Sequence, residues 1–130
     1  MVQLVRQYNN GPVSVGSIAK KEKLSVPYLE QLLNRLKRSG IVKSIRGPRG
    51  GYVLAKNPVR ISVYDVVKVL EGDLALVFCI SDKSIQNKCD RMSECVTKFL
   101  WKKLNNSIKD VLESVSLADL CKKAGGEIPL

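Results

Sequence analysis

The chain has 130 residues and a mass of 14.4 kDa, the size of one domain or one small domain with an extension, which excludes a multidomain enzyme. Hydrophobic residues make up 45% of it, enough for a packed core and too many for wholesale disorder. Lysine and arginine number 22 against 12 acidic residues; residues 1–56 hold 11 basic and 2 acidic side chains, whereas residues 57–130 hold 11 and 10.

A compact basic half fits a polyanion, nucleic acid above all. The absence of histidine removes His-based acid–base catalysis, the Ser-His-Asp and Cys-His nucleophile systems and the commonest metal ligand. No apolar run is long enough to span a bilayer, and MVQLVRQYNN lacks the apolar stretch of a signal peptide, so a cytoplasmic protein is expected.

Residues 1–9 read as a short helix stopped by Asn9-Asn10-Gly11-Pro12. Ser14 caps a second helix over residues 15–22, with Val15, Ile18 and Ala19 inward and Lys20, Lys21 and Lys23 outward. Leu24 closes the turn. Ser25 precedes a third helix with Pro27 in its first turn, where a missing N–H is harmless, and the helix runs to about Ser39. Leu29, Leu32, Leu33 and Leu36 make its buried face, and Gly40 stops it. Two short strands follow, Ile41–Ile45 and Tyr52–Leu54, joined by the basic turn RGPRGG.

A helix–turn–helix followed by a glycine-rich basic hairpin is the pattern of a winged helix. Its third helix offers polar side chains to base edges in a major groove. Arg46 and Arg49 on the wing face phosphates or a minor groove, and Gly47, Gly50 and Gly51 let the wing backbone come close to the duplex.

After the linker around Pro58, Ser62 caps a helix through Leu70 that ends at Gly72. Residues 73–92 read as irregular. The longest helix is expected from Ser93–Glu94 to about Val115, with a stripe of Val96, Phe99, Leu100, Leu104, Ile108, Val111, Leu112 and Val115. That stripe is long for a domain of this size, and a helix–helix contact in a twofold homodimer buries it, matching two half-sites on DNA. A short helix, Leu117–Lys123, closes the pattern.

The expected fold class is mainly α with a small β-hairpin: a winged helix–turn–helix plus a long dimerisation helix. Four units follow: residues 1–56 as the DNA-binding domain, 57–72 as linker and connecting helix, 73–92 as a cysteine-bearing loop, and 93–130 as dimerisation and C-terminal helices.

Of the four cysteines, Cys79, Cys89 and Cys95 are spaced C-x9-C-x5-C. No pair is C-x2-C, so zinc-ribbon and thioredoxin signatures are absent. Spacing leaves three readings open: ligation of a soft metal centre such as an iron–sulfur cluster, thiol redox sensing, or inert buried thiols.

The segments SVPYLEQLLNRLKRSGIVKSIRGPRGGYVLAKNP and C-x9-C-x5-CVTKFLWKKLNNSI resemble the IscR-type bacterial transcription regulators, whose relatives include NsrR and CymR. The resemblance covers nearly the whole chain. It implies a dimer of winged helix–turn–helix domains crossed by a long helix, binding double-stranded operator DNA, and in many members an iron–sulfur cluster, 2Fe–2S or 4Fe–4S.

Carried over by position, it assigns Ser25, Tyr28, Glu30, Gln31 and Arg35 to the start and exposed side of the recognition helix and Arg46, with Arg49, to the wing. Glu30 is placed to accept from a cytosine amino group. Cys79, Cys89 and Cys95 match the three cluster cysteines. Two departures stand out. Lys98 occupies the position where IscR proper usually has a histidine, and protonated lysine is a poor ligand. NsrR-like members instead take an acidic ligand from the partner's N-terminal helix, and the first residues of the family pattern are expected to be missing here. Asp90, Glu94, Cys121 or an exogenous thiol are the remaining candidates. The alternative is a cluster-free, CymR-like regulator controlled by a partner protein or by thiol redox state. No enzyme constellation is present.

Overall fold

A computed structural model describes residues 1–81, 89–91 and 93–125. Three helices, α1 (Val2–Arg6), α2 (Val15–Glu22) and α3 (Val26–Arg38), lead into an antiparallel hairpin of β1 (Val42–Ile45) and β2 (Gly51–Leu54). Then come a 3-10 turn at Pro58–Arg60, α4 (Val63–Glu71), a second 3-10 turn at Phe78–Ile80, α5 (Lys98–Ser114) and α6 (Leu117–Lys123).

Local chemistry sets these boundaries. The hydroxyls of Ser14, Ser25, Ser62 and Ser116 each accept a hydrogen bond from a backbone N–H in the first turn of the helix that follows. Ser62 with Asp65, and Ser116 with Asp119, complete reciprocal capping boxes. α2 ends with Lys23 in the left-handed region (φ 54°), and the Leu24 N–H returns to the Ala19 carbonyl, making the tight turn into α3.

The hairpin register pairs Val42 with Leu54 and Ile45 with Gly51. A third rung forms where Val13 and Tyr52 exchange backbone hydrogen bonds of 3.0 and 2.9 Å, fastening the wing to the segment before α2.

The core joins Leu4 and Val5 of α1, Ile18 and Ala19 of α2, Leu29, Leu33 and Leu36 of α3, and Val42 and Leu54 of the hairpin. Ile61, Leu117 and Cys121 complete it. Thus α6, grouped by sequence with the long helix, returns to seal the N-terminal core, and the Cys121 side chain is wholly buried there. The Val63 N–H to Val115 carbonyl and Leu117 N–H to Ile61 carbonyl bonds, both 2.9 Å, anchor that return.

Two boundaries differ by more than one residue from the sequence reading. The first helix stops at Arg6, because Gln7–Asn9 already turn toward Asn9 at φ 66°. The long helix begins at Lys98, not Ser93. The spacing Val96–Phe99–Leu100 extends the helical period backwards, but Ser93, Cys95 and Thr97 are weak helix formers and residues 93–97 form turns.

Val96 therefore stands free ahead of the helix, and α5 buries no residue fully. Phe99 is 71% and Val111 63% exposed, with Leu100, Leu104 and Ile108 exposed between them. No helix among the described residues is long and apolar enough to cross a membrane.

Candidate nucleic-acid interface and cysteine segment

The α3 helix is held from below by Leu29, Leu33 and Leu36, which leaves its opposite face outside. Tyr28, Glu30, Gln31 and Arg35 are all exposed. Ser25 is exposed too, but its hydroxyl accepts from the Tyr28 N–H at 3.4 Å, so it serves the helix start. The Arg35 guanidinium donates to the Leu70 carbonyl at the end of α4, 3.1 Å away, tying α3 to α4.

The outermost line of α3 is Gln31, Asn34 and Arg38, at i, i+3 and i+7. The helical period already puts Asn34 and Arg38 on the outer faces of α3, though the resemblance does not assign them to DNA; their place opposite the three buried leucines is the signal that adds them.

The wing projects Arg46 and Arg49 into solvent. Its tip lies beside the start of α2: Pro48, Arg49 and Gly50 share an open groove of about 340 Å³ with Ser14, Ser17 and Lys21. Wing and α2 thus share one groove that carries Lys21 and Arg49.

Two of the wing glycines also have a reason inside the fold. A Cβ on Gly50 would lie 2.2 Å from the Ile45 carbonyl oxygen, and one on Gly51 would lie 2.2 Å from the Val13 carbonyl oxygen. Gly50 is required by the wing's own turn and Gly51 by the approach of the wing to residue 13; around Gly47, at φ 113°, space is open.

Cys79 lies in the second 3-10 turn, Cys89 just before a turn at residues 90–91 and Cys95 in the turn before α5, all partly exposed. Cys95 Sγ is 3.4 Å from the Thr97 hydroxyl. Hydrogen bonds from Thr97, first its side chain and then its backbone, hold the Cys95 thiol below the usual range, with the Lys98 N–H and charge assisting.

Three thiolates are suitable donor chemistry for an iron–sulfur cluster. Among the described residues, no three ligating side chains come together. Asp90 and Glu94 are exposed, Lys98 is the first residue of α5, and Cys121 is sealed in the core, away from any ligand role.

The Rrf2 profile, described as "Iron-dependent Transcriptional regulator", matches residues 1–123. The chain is 39% identical over 127 residues to the HTH-type transcriptional regulator CymR of Bacillus subtilis (strain 168), covering 98% of this chain and 85% of that protein. It is 34% identical over 120 residues to the regulator IscR of Pectobacterium atrosepticum, covering 92% and 71%.

Among solved structures it superposes on the IscR of T. potens with a TM-score of 0.75 at 43% identity, covering 95% of this chain and 78% of that one. It superposes on CymR, the global cysteine regulator of B. subtilis, with a TM-score of 0.73 at 37% identity, covering 94% and 87%. The basic winged helix, its long exposed helix and these matches together place the chain in the Rrf2 family of transcriptional regulators.

Proposed function

We propose that the protein is a homodimeric regulator that reads double-stranded operator DNA with α3 and the wing. The carrying observation is the groove that the wing shares with α2, lined by Arg49 and Lys21, together with the exposure of Arg46 on the wing and Arg38 on the outer face of α3. Gln31, Asn34 and Glu30 supply the base-edge donors and acceptors, and the arginines supply phosphate contacts.

The unpartnered apolar face of α5, from Leu100 through Leu104 and Ile108 to Val111, pairs with the same face of a second copy. A binding assay comparing duplex DNA with the same sequence as RNA tests this, with duplex DNA preferred. Equal or tighter RNA binding overturns it.

The segment carrying Cys79, Cys89 and Cys95 is the sensing element in this reading, with the three thiolates as iron–sulfur ligands. The cluster-free reading draws on the separation of the cysteines in the described structure and on the similarity to CymR. Protein purified without oxygen decides between them. Visible absorption with iron and sulfide in proportion, lost in the triple Cys→Ser variant, supports the cluster. A colourless, iron-free protein that binds duplex DNA supports the cluster-free regulator.

A further inference from the structure

A cleft of about 240 Å³ lies between α4, the second 3-10 turn and α5. Tyr64, Asp73, Lys102, Asn105, Asn106 and Lys109 give it a polar lining. Its charges are two ammonium groups and one carboxylate, and Asp73 accepts a hydrogen bond from Ser81. The Lys68 and Lys109 ammonium groups sit 5.7 and 5.4 Å from the centroid of the Tyr64 ring.

One atom stands out. Among the described residues nothing donates a hydrogen bond to the buried side-chain carbonyl oxygen of Asn105. Buried acceptors are nearly always satisfied, so an orphan of this kind in a cleft takes its donor from a water or from a ligand that displaces one.

The cleft also occupies its own face of α5. Lys102, Asn105, Asn106 and Lys109 are spaced i, i+3, i+4 and i+7, whereas the apolar stripe follows Leu100, Leu104, Ile108 and Val111. These are different sides of the helix, so pairing the stripe leaves the polar face available.

We propose that this cleft binds a small organic acid of amino-acid size, carrying both an anionic group and an N–H or O–H donor. The anion lies against Lys102, and the donor satisfies Asn105 Oδ1. Lys109 already makes an exposed ion pair with Glu113 at 3.8 Å, so Lys102 is the cleft cation left to the ligand: a bare anion leaves the carbonyl unpaired, and a neutral alcohol leaves Lys102 without a counter-charge.

The position gives such a ligand leverage. Ile80, beside Cys79, lines the cleft, and α4, which carries Tyr64, is bonded at its far end to Arg35 of the recognition helix. Occupancy therefore bridges the dimer helix, the cysteine segment and the element behind α3.

The test uses the full chain without DNA, so its outcome is separate from the reading of the winged helix. Individual α-amino acids and α-hydroxy acids are added at millimolar concentration, with inorganic phosphate as the bare anion and glycerol as the neutral donor. Tm and amide resonances are followed. At least one acid is expected to raise Tm saturably and to shift the resonances of Tyr64 and Asn105.

Lys102→Ala and Asn105→Leu are each expected to weaken that binding about tenfold or more, the scale of one lost charge-assisted or buried hydrogen bond. Lys122→Ala, on exposed α6 surface, leaves it unchanged. Ligand-free Asn105→Leu keeps or raises the wild-type Tm because it removes an acceptor that no described residue pairs, so lost binding cannot be mistaken for unfolding. The proposal is overturned if no acid binds, if phosphate or glycerol alone reproduces the effect, or if both cleft variants bind like wild type.

Discussion

Gly51→Ala is the substitution whose consequence is best defined by the structure. A Cβ at this position falls 2.2 Å from the Val13 carbonyl oxygen and 2.4 Å from its carbon, and the backbone φ is 155°, where side chains are rarely accommodated. The obstacle is backbone on both sides, so relief requires β2 to separate from residue 13. That breaks the two Val13–Tyr52 hydrogen bonds of 3.0 and 2.9 Å.

Two net hydrogen bonds account for about 1–3 kcal/mol, and the backbone conformation adds roughly 1 kcal/mol or more. The expected loss is about 2–4 kcal/mol, a large share of a small domain's stability. Urea unfolding measures it directly. Gly47→Ala is the control: its φ is 113° but space around it is open, so it carries only the conformational penalty, about 1–2 kcal/mol.

The functional readout is the salt dependence of DNA affinity under conditions where the variant stays folded. A released wing loses the Arg46 and Arg49 phosphate contacts, and the slope of log K against log salt falls by about 2. If Gly51→Ala unfolds at the wild-type urea concentration and keeps the wild-type slope, the account of how the wing is fixed is wrong.

Four further outcomes follow from other parts of the molecule. Arg35→Ala removes the bond to the Leu70 carbonyl and is expected to cost about 1 kcal/mol in urea unfolding, with a change in DNA affinity that Lys does not fully restore. In metal-free protein Cys95 should react with iodoacetamide well before Cys121, which is sealed in the core; mass mapping of early labelling shows the order, and equal rates refute it.

Leu104→Glu on the exposed stripe of α5 is expected to shift the dimer to monomer in sedimentation experiments without lowering helix content. Asp119 is held below the usual carboxylate range by hydrogen bonds from the Ser116 hydroxyl and N–H. Its folded-state pKa is depressed, so its contribution is present at neutral pH and lost as pH falls through that pKa. Asp119→Asn should therefore be less stable than wild type at pH 7, with the gap closing in acid.

Much of this architecture is legible in the sequence because local signals and the global fold agree. Serines stand before α2, α3, α4 and α6 as working caps, the leucines of α3 recur at helical spacing, and α2 and α6 occupy the expected residues. The start of α5 was not legible, since Val96, Phe99 and Leu100 keep the helical period while the residues around Cys95 turn.

A second constraint on Gly50 and Gly51 is illegible for a related reason: glycine signals close approach, but the sequence does not say to what, and in the fold the backbone of Ile45 and of Val13 comes close. Cys121 and α6 reach the N-terminal core only through tertiary folding. The polar cleft joins Tyr64 and Asp73 to side chains more than twenty-five residues further on, a juxtaposition no local pattern encodes. The expected recognition-helix residues are exposed as a set, yet Arg35 turns back to α4 and Asn34 and Arg38 take the outermost line.

The central claim is that a symmetric pair of winged helices reads duplex DNA by sequence. Selection of binding sites from a random duplex library by the purified full chain tests it most directly. Two inverted half-sites are predicted, their centres about one helical turn or a multiple of it apart, with enrichment at the base positions lost when Gln31 and Asn34 are both changed to alanine. A library that stays unenriched, or one that yields a single site without inverted symmetry, would contradict the account.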